Sequence, residues 1–307
     1  MDSGSRRHFL QSALGLALGA RAAFAGAGDA PVKRAIPSSG ETLTAVGLGT
    51  WQAFDIAGDA ASRLEAREAL QTFARLGGEV IDSSPMYGSA ESVVGDLCAE
   101  LRLHRRVFFA TKVWTRGAEQ GIRQMRESMR RLRIELKGPL DLMQVHNLVD
   151  AQTHLATLAA WKKEGRIRYA GITHYHAGAH AELEEMLKGH RLDFLQVNYS
   201  LAEPQAELRL LDAAAARGTA VIVNRPFAEG AMFQRVGRRP LPAYAQELGC
   251  GSWAQVFLKW ILSNPAVTCV IPGTRSARHV ADNLGALQGT LPDAALRKRI
   301  REEFQKL

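Results

Sequence analysis

The sequence predicts an α/β fold, a (β/α)8 TIM barrel preceded by an N-terminal β-hairpin. Short apolar, β-like runs alternate with helical patterns along the chain, which calls for a parallel sheet covered by helices. Eight such units within about 280 residues match the size of one barrel. No G-x-G-x-x-G or G-x-x-x-x-G-K-[ST] opens a helix after a strand. Gly47-Leu48-Gly49 lacks a third glycine, and Thr50-Trp51 begins no helical pattern, so a doubly wound sheet is only the runner-up.

The elements follow in order. VKRAIPSSGETLTAVGLGTW reads as a hairpin turned at Pro37-Ser38-Ser39-Gly40, leading into a first barrel strand around 43–49. Helix 59–76 precedes strand 79–82, helix 90–102 strand 106–111, and helix 117–134 strand 140–145. Helix 151–164 then precedes strand 168–172, helix 176–188 strand 193–198, and helix 204–217 strand 219–223. After a long segment at 224–251, helix 252–263 leads to strand 267–271 and helix 276–287. The 224–251 segment, with its GRRPLP, reads as a lid, with a disordered insertion as the alternative.

Composition narrows the class. At 307 residues and 46% hydrophobic the chain has ample core for one large barrel. The formal charge is +8, or +6 without residues 1–25. Apart from RLHRR at 102–106 and the RKRIREEFQKL tail, the basic residues are interspersed with acids. These runs read as solvated helix faces, and no aromatic–basic interleaving points to nucleic acid.

Residues 1–25 read as a twin-arginine signal peptide, with Ser5-Arg6-Arg7-His8-Phe9-Leu10, a modest apolar stretch, and an A-x-A site at Ala23-Phe24-Ala25. The stretch is too weak for a stable membrane anchor. Residues 26–31 read as a linker and 32–307 as the barrel. Export by the twin-arginine machinery to a bacterial periplasm is the expectation. Cys98, Cys250 and Cys269 show no ligand spacing; Cys98 and Cys269 read as buried apolar residues.

Four residues carry the chemistry. Asp82, Lys112 and His146 end the second, third and fourth strands, and Tyr87 lies just after Asp82. In this barrel the active site lies at the C-terminal strand ends, so all four reach one rim. Tyr87 is the candidate proton donor. Lys112 beside it would favour the phenolate and lower its pKa. Asp82 would pair with Lys112, and His146 would orient the substrate oxygen. Hydride would reach a carbonyl carbon while Tyr87 protonates the oxygen, and the reverse reaction would use Tyr87 as acceptor.

These residues sit in stretches that resemble the aldo-keto reductases: GLGTW (47–51), IDSSPMYGSAE (81–91), TKVW (111–114), DLMQVHN (141–147), GRIRYAGIT (165–173), DFLQVNYS (193–200) and IPGTRSARHVADN (271–283). The resemblance implies a barrel enzyme using NADP(H) by preference, with NAD(H) possible, to interconvert aldehydes or ketones and alcohols. It implies that Asp82, Tyr87, Lys112 and His146 form the catalytic tetrad. Gly49, Thr50 and Trp51 would border the cofactor, and Asn147, Thr173 and Gln196 would meet its nicotinamide end. Gly273, Thr274 and Arg275 would hold the adenosine phosphate, cofactor-binding His279 stands where the family often has an Arg, and Asp282 and Asn283 would meet the adenine. Thr173-His174 stands where the family commonly has Ser-Asn. Asn224 or Arg225 stands where many members stack an aromatic ring, so Arg225 would lie over the nicotinamide, or Phe227 would substitute.

Trp51, Phe54, Met86, Trp114 and Phe227 would line an apolar pocket for a small carbonyl or alcohol substrate. The protein is expected to be a monomer or weak oligomer. Two alternatives stay open: a barrel retained as a cofactor-binding or regulatory protein with little turnover, or a lyase using Lys112 as a Schiff base.

Overall fold

The computed structural model describes residues 31–307. The signal peptide expected at 1–25 lies outside the described residues, as does the 26–31 linker except Pro31.

The chain opens with the hairpin. β1 (Lys33–Ala35) pairs antiparallel with β2 (Thr42–Thr44). Residues 42–44 therefore belong to the hairpin, and the first barrel strand shrinks to β3 (Leu48–Gly49). Glu79 holds this division in place: it accepts hydrogen bonds from the Thr44 amide at 2.9 Å and hydroxyl at 3.0 Å, and pairs with Lys33 at 2.7 Å.

The barrel continues through β4 (Val80–Asp82), β5 (Phe108–Val113), β6 (Leu140–His146) and β7 (Ile167–Thr173), then β8 (Phe194–Asn198), β9 (Ala220–Asn224) and β10 (Val267–Val270). Strands β3 to β10 pair in parallel in chain order. Parallel bridges Val46–Val270 and Gly49–Gly273 join the two ends. Gly49 permits that closure, since a Cβ there would sit 2.8 Å from the Ile271 carbonyl oxygen.

The helices are α1 (Ala60–Arg75), α2 (Ala90–Glu100), α3 (Ala118–Arg131), α4 (Ala151–Lys163), α5 (His180–Gly189) and α6 (Leu210–Ala216). They continue as α7 (Ala231–Val236), α8 (Ala243–Glu247), α9 (Trp253–Leu262), α10 (Ala277–Gly285) and α11 (Ala294–Gln305). α1 shows the local logic. Asp59 caps its N-terminus by accepting from Ala61 N and Ser62 N, and Ala66, Ala69, Leu70 and Phe73 bury one stripe. None of the helices among the described residues is long and apolar enough to cross a membrane.

Two further segments depart in detail from expectation. The helix read at 204–217 is a 3-10 turn at Gln205–Leu208 followed by α6. The 224–251 segment is ordered and carries α7 and α8. The basic tail is helical as read, with Ile300 and Phe304 buried on its inner face. Cys98, Cys250 and Cys269 are free and buried.

The strand period of two separates the cores. Outward residues such as Phe109, Met143, Leu195 and Val221 pack under the helices. Inward residues Val80, Phe108, Leu142, Tyr169, Phe194 and Ala220 fill the barrel floor, where the hairpin adds Ile36 and Leu43. The floor is therefore plugged by apolar side chains. Following the same inward parity upward gives Asp82, Lys112, Gln144, His146, Thr173, Gln196 and Asn224. The barrel is apolar below and polar at the C-terminal ends of its strands.

Candidate active site

Asp82 ends β4 and Lys112 lies one residue before the end of β5. Lys112 Nζ donates to Asp82 Oδ2 at 2.6 Å and to the Ser83 carbonyl at 2.7 Å. Lys112 is wholly buried and Asp82 is 2% exposed, so the pair is dry. The same Nζ stands 4.9 Å from the Tyr87 ring centroid. His146 meets that ring edge-on at 5.9 Å between centroids, and Trp114 stands 6.4 Å from the imidazole. The structure brings all four tetrad candidates together.

The far oxygen of Asp82 is also engaged. Its Oδ1 accepts from Gln196 Nε2 at 2.8 Å and Gln144 Nε2 at 3.2 Å. Gln196 Oε1 accepts from Thr173 Oγ1 at 3.1 Å and Asn224 Nδ2 at 3.4 Å. Asn224 Nδ2 also donates to the His174 carbonyl at 3.1 Å. On the other side Thr50 Oγ1 lies 3.0 Å from both the Asp82 carbonyl and Ser83 Oγ. His146 Nδ1 lies 3.0 Å from Ser84 Oγ.

The electrostatics differ from the sequence expectation at Tyr87. Burial raises its pKa above the ordinary phenol value, more than the Lys112 ammonium lowers it. Burial opposes the charge on Lys112, but Asp82 and Tyr87 together outweigh it and hold the ammonium above its usual range. Burial, then the Lys112 charge, pushes His146 down to about 2, which leaves a neutral imidazole. A charged, inaccessible Lys112 is unsuited to Schiff-base attack, which needs a free neutral amine.

The site opens into a cleft of about 740 Å³. Its walls include Trp51, Met86, Trp114 and Phe227, four of the five expected pocket residues. Phe54 is not among them. The turn in which Phe54 N donates to the Thr50 carbonyl carries Trp51 outward, and Phe54 is fully buried in the core beneath the helices. Gly49, Thr50, Asn147, Thr173, Gln196, Arg225 and Gly273 also border the cleft. Arg225 donates to the Tyr175 carbonyl at 3.0 Å and lies near Glu203 and Glu229, at 3.7 and 3.4 Å. Asn147 and Arg225 have left-handed backbone, with φ of 51° and 48°, strain of the kind that gathers at sites.

The remaining expected cofactor residues lie outside the cleft lining, from the start of α10 to its last turn. Thr274 Oγ1 accepts from Ser276 N at 3.1 Å and lies 3.5 Å from His279 Nδ1. Arg275 Nε donates to Glu65 of α1 at 2.9 Å. Asp282 accepts from Gln255 Nε2 at 2.8 Å, and Asn283 is buried in the helix.

Sequence reasoning missed Gln144, Ser84, Tyr175 and Phe233. Gln144 had a readable signal: it is polar at inward parity two residues before His146. Phe233 had none, because it reaches the cleft through the fold of the 224–251 segment.

Known proteins resemble this chain in sequence and fold. A family model described as "Aldo/keto reductase family" matches residues 45–300. The methylglyoxal reductase YeaE of Escherichia coli K12 is 31% identical over 276 residues, covering 86% of this chain and 93% of that protein. An NADH-specific methylglyoxal reductase of the same organism is 25% identical, covering 82% and 92%. An aldo-keto reductase of Klebsiella pneumoniae, solved in complex with NADPH, superposes with a TM-score of 0.73 at 26% identity, covering 89% of this chain and 95% of that one.

Proposed function

Because this chain belongs to the aldo/keto reductase family, a family of NAD(P)H-dependent oxidoreductases, we propose that it uses NADPH to interconvert small aldehydes or ketones and alcohols, with Tyr87 as proton donor and acceptor. The observation that carries this reading is the dry Asp82–Lys112 pair with its ammonium 4.9 Å from the Tyr87 ring. When bound, NADPH supplies the hydride. The chain's own residues handle the oxygen.

Ser84 Oγ accepts from the Met86 amide at 3.4 Å, and we assign its own proton to His146 Nδ1, 3.0 Å away. The neutral imidazole then carries its hydrogen on Nε2 and donates it to the substrate oxygen. Tyr87 gives its phenolic proton to the same oxygen, and Lys112 stabilises the phenolate left behind. Trp51, Met86 and Trp114 cover the apolar body of the substrate and exclude water. The methylglyoxal reductase relatives support a short carbonyl substrate.

The residues fit a dinucleotide at both ends. Asn147 and Asn224 each present a buried carboxamide oxygen with no donor among the described residues, suited to a nicotinamide amide N–H. At the other end Arg275, Arg278 and His279 gather at the start of α10, suited to a 2′-phosphate. The Klebsiella NADPH complex supports NADPH, and the NADH-specific relative keeps NADH as a second choice.

The experiment is a fluorescence titration with each nucleotide, followed by loss of NADPH absorbance with methylglyoxal and longer aldehydes. Tyr87→Phe should bind NADPH as the parent does and lose about a thousandfold in turnover. Turnover by Tyr87→Phe at the parent's rate would remove the proton-donor role. We also propose twin-arginine export to a periplasm, supported by residues 5–10 and 23–25. Arg6→Lys with Arg7→Lys should keep the protein in the cytoplasmic fraction; unchanged secretion would end that proposal.

A further inference from the structure

We propose that Gln144 is a positioning residue for the reaction, acting on Tyr87 through Asp82 and Lys112. The inference rests on the proton-donor reading of Tyr87.

The geometry points one way. Asp82 has two oxygens to satisfy in a place without water. Lys112 takes Oδ2 at 2.6 Å. Oδ1 is left to two carboxamides, Gln196 at 2.8 Å and Gln144 at 3.2 Å. A carboxylate only accepts, so both amides must turn their NH2 groups toward it. Gln144 Oε1 in turn lies 3.4 Å from Gln196 Nε2, which fixes the same orientation. Gln144 is wholly buried and faces inward between Lys112 on β5 and Gly171 on β7 in the strand register. Its side chain hydrogen-bonds Asp82 and Gln196 but not Tyr87, and it does not line the cleft, so its influence passes through Asp82.

An ionised buried carboxylate depends on such donors. Without Gln144 the proton between Asp82 and Lys112 shifts toward the carboxylate, and the ammonium charge beside Tyr87 weakens. The groups around Tyr87 are Lys112 on β5, Asp82 on β4 and His146 on β6, with Glu91 of α2 behind β5 and His174 beyond His146. Among them Lys112 lowers the phenol's pKa more than Asp82 raises it. Loss of the Gln144 bond therefore raises the pKa of Tyr87. Carbonyl reduction needs the phenol and alcohol oxidation the phenolate, so the falling alkaline limb of the reduction profile and the rising acid limb of the oxidation profile both move to higher pH.

The test compares the parent with Gln144→Leu, Gln144→Glu and Tyr87→Phe by kcat and KM across pH, with thermal melts to establish folding. Gln144→Leu should lose about tenfold or more in kcat, keep KM and the NADPH dissociation constant within about threefold, and move the alkaline limb up by about half a pH unit or more. The carboxyl introduced by Gln144→Glu donates to Asp82 only when protonated. Its activity relative to the parent should fall steadily between about pH 5 and 8. That variant keeps the question open to measurement if Gln144→Leu does not fold. An unmoved limb in Gln144→Leu, or a constant ratio to the parent in Gln144→Glu, overturns the proposal and leaves Tyr87 as donor. Full turnover by Tyr87→Phe overturns both.

Discussion

Asp82 and Lys112 form an ion pair at 2.6 Å whose side chains are 3% and 0% exposed. Burial of two charges is tolerated because each is hydrogen-bonded beyond the pair, Lys112 to Ser83 and Asp82 to the two glutamines. The pair is at once a structural commitment of the barrel and the source of the charge beside Tyr87.

Breaking it from one side strands a buried charge. Asp82→Asn should cost about 3–5 kcal/mol in unfolding free energy. Joint replacement of Asp82 by Leu and Lys112 by Met should recover part of that stability with no recovery of turnover. Urea unfolding of the single and double variants checks both statements.

His146 makes the site sensitive to acid. Its pKa is pushed from the ordinary 6.5 down to about 2 in the folded chain by burial and then by Lys112. Between those values the unfolded chain holds the extra proton, so folded stability is full above about 6.5 and drains as pH falls. The slope from this one group is about 1.4 kcal/mol per pH unit. His146→Gln should remove that component, visible as a flatter dependence of melting temperature on pH below about 6.

Gly171 sits on β7 beside Gln144 in the register. A Cβ there would lie 2.6 Å from the Phe194 carbonyl oxygen, a backbone atom that cannot swing aside. Gly171→Ala should destabilise the barrel by about 2–3 kcal/mol and disturb the Gln144–Gln196 bond with it. Thermal unfolding and kcat would fall together.

Arg275 and Glu65 join α10 to α1 at 2.9 Å, with side chains 39% and 60% exposed. So exposed a pair is easily exchanged for a phosphate. Arg275→Met should weaken NADPH about tenfold and leave NADH within about twofold. Glu65→Gln frees the guanidinium and should tighten NADPH about threefold or less, without effect on NADH. Parallel titrations of the two nucleotides read the difference.

The alternation of strand and helix was legible because each helix and strand buries one face, and that periodicity is written locally. The tetrad was legible for a related reason. A parallel barrel puts every strand's C-terminal end on one rim, so Asp82, Lys112 and His146 could be placed together from chain position alone. Phe54 was misplaced because a single tight turn decides whether an aromatic faces the cleft or the core. The length of the first strand was misjudged because Glu79, far along the chain, claims Thr44 for the hairpin.

The sequence alone determined the barrel, the family resemblance and the identities of the groups proposed to handle the proton. These follow from local periodicity and from residue types at strand ends. Only the tertiary structure decided the balance of charge. Burial against the Lys112 ammonium sets the pKa of Tyr87, and that balance depends on how many atoms surround the ring. Likewise, only packing across β4, β6 and β8 brings Gln144 and Gln196 onto one oxygen of Asp82. Hydrogen bonds and desolvation act through space over a few ångströms, between residues that the chain separates by 62 and 114 positions.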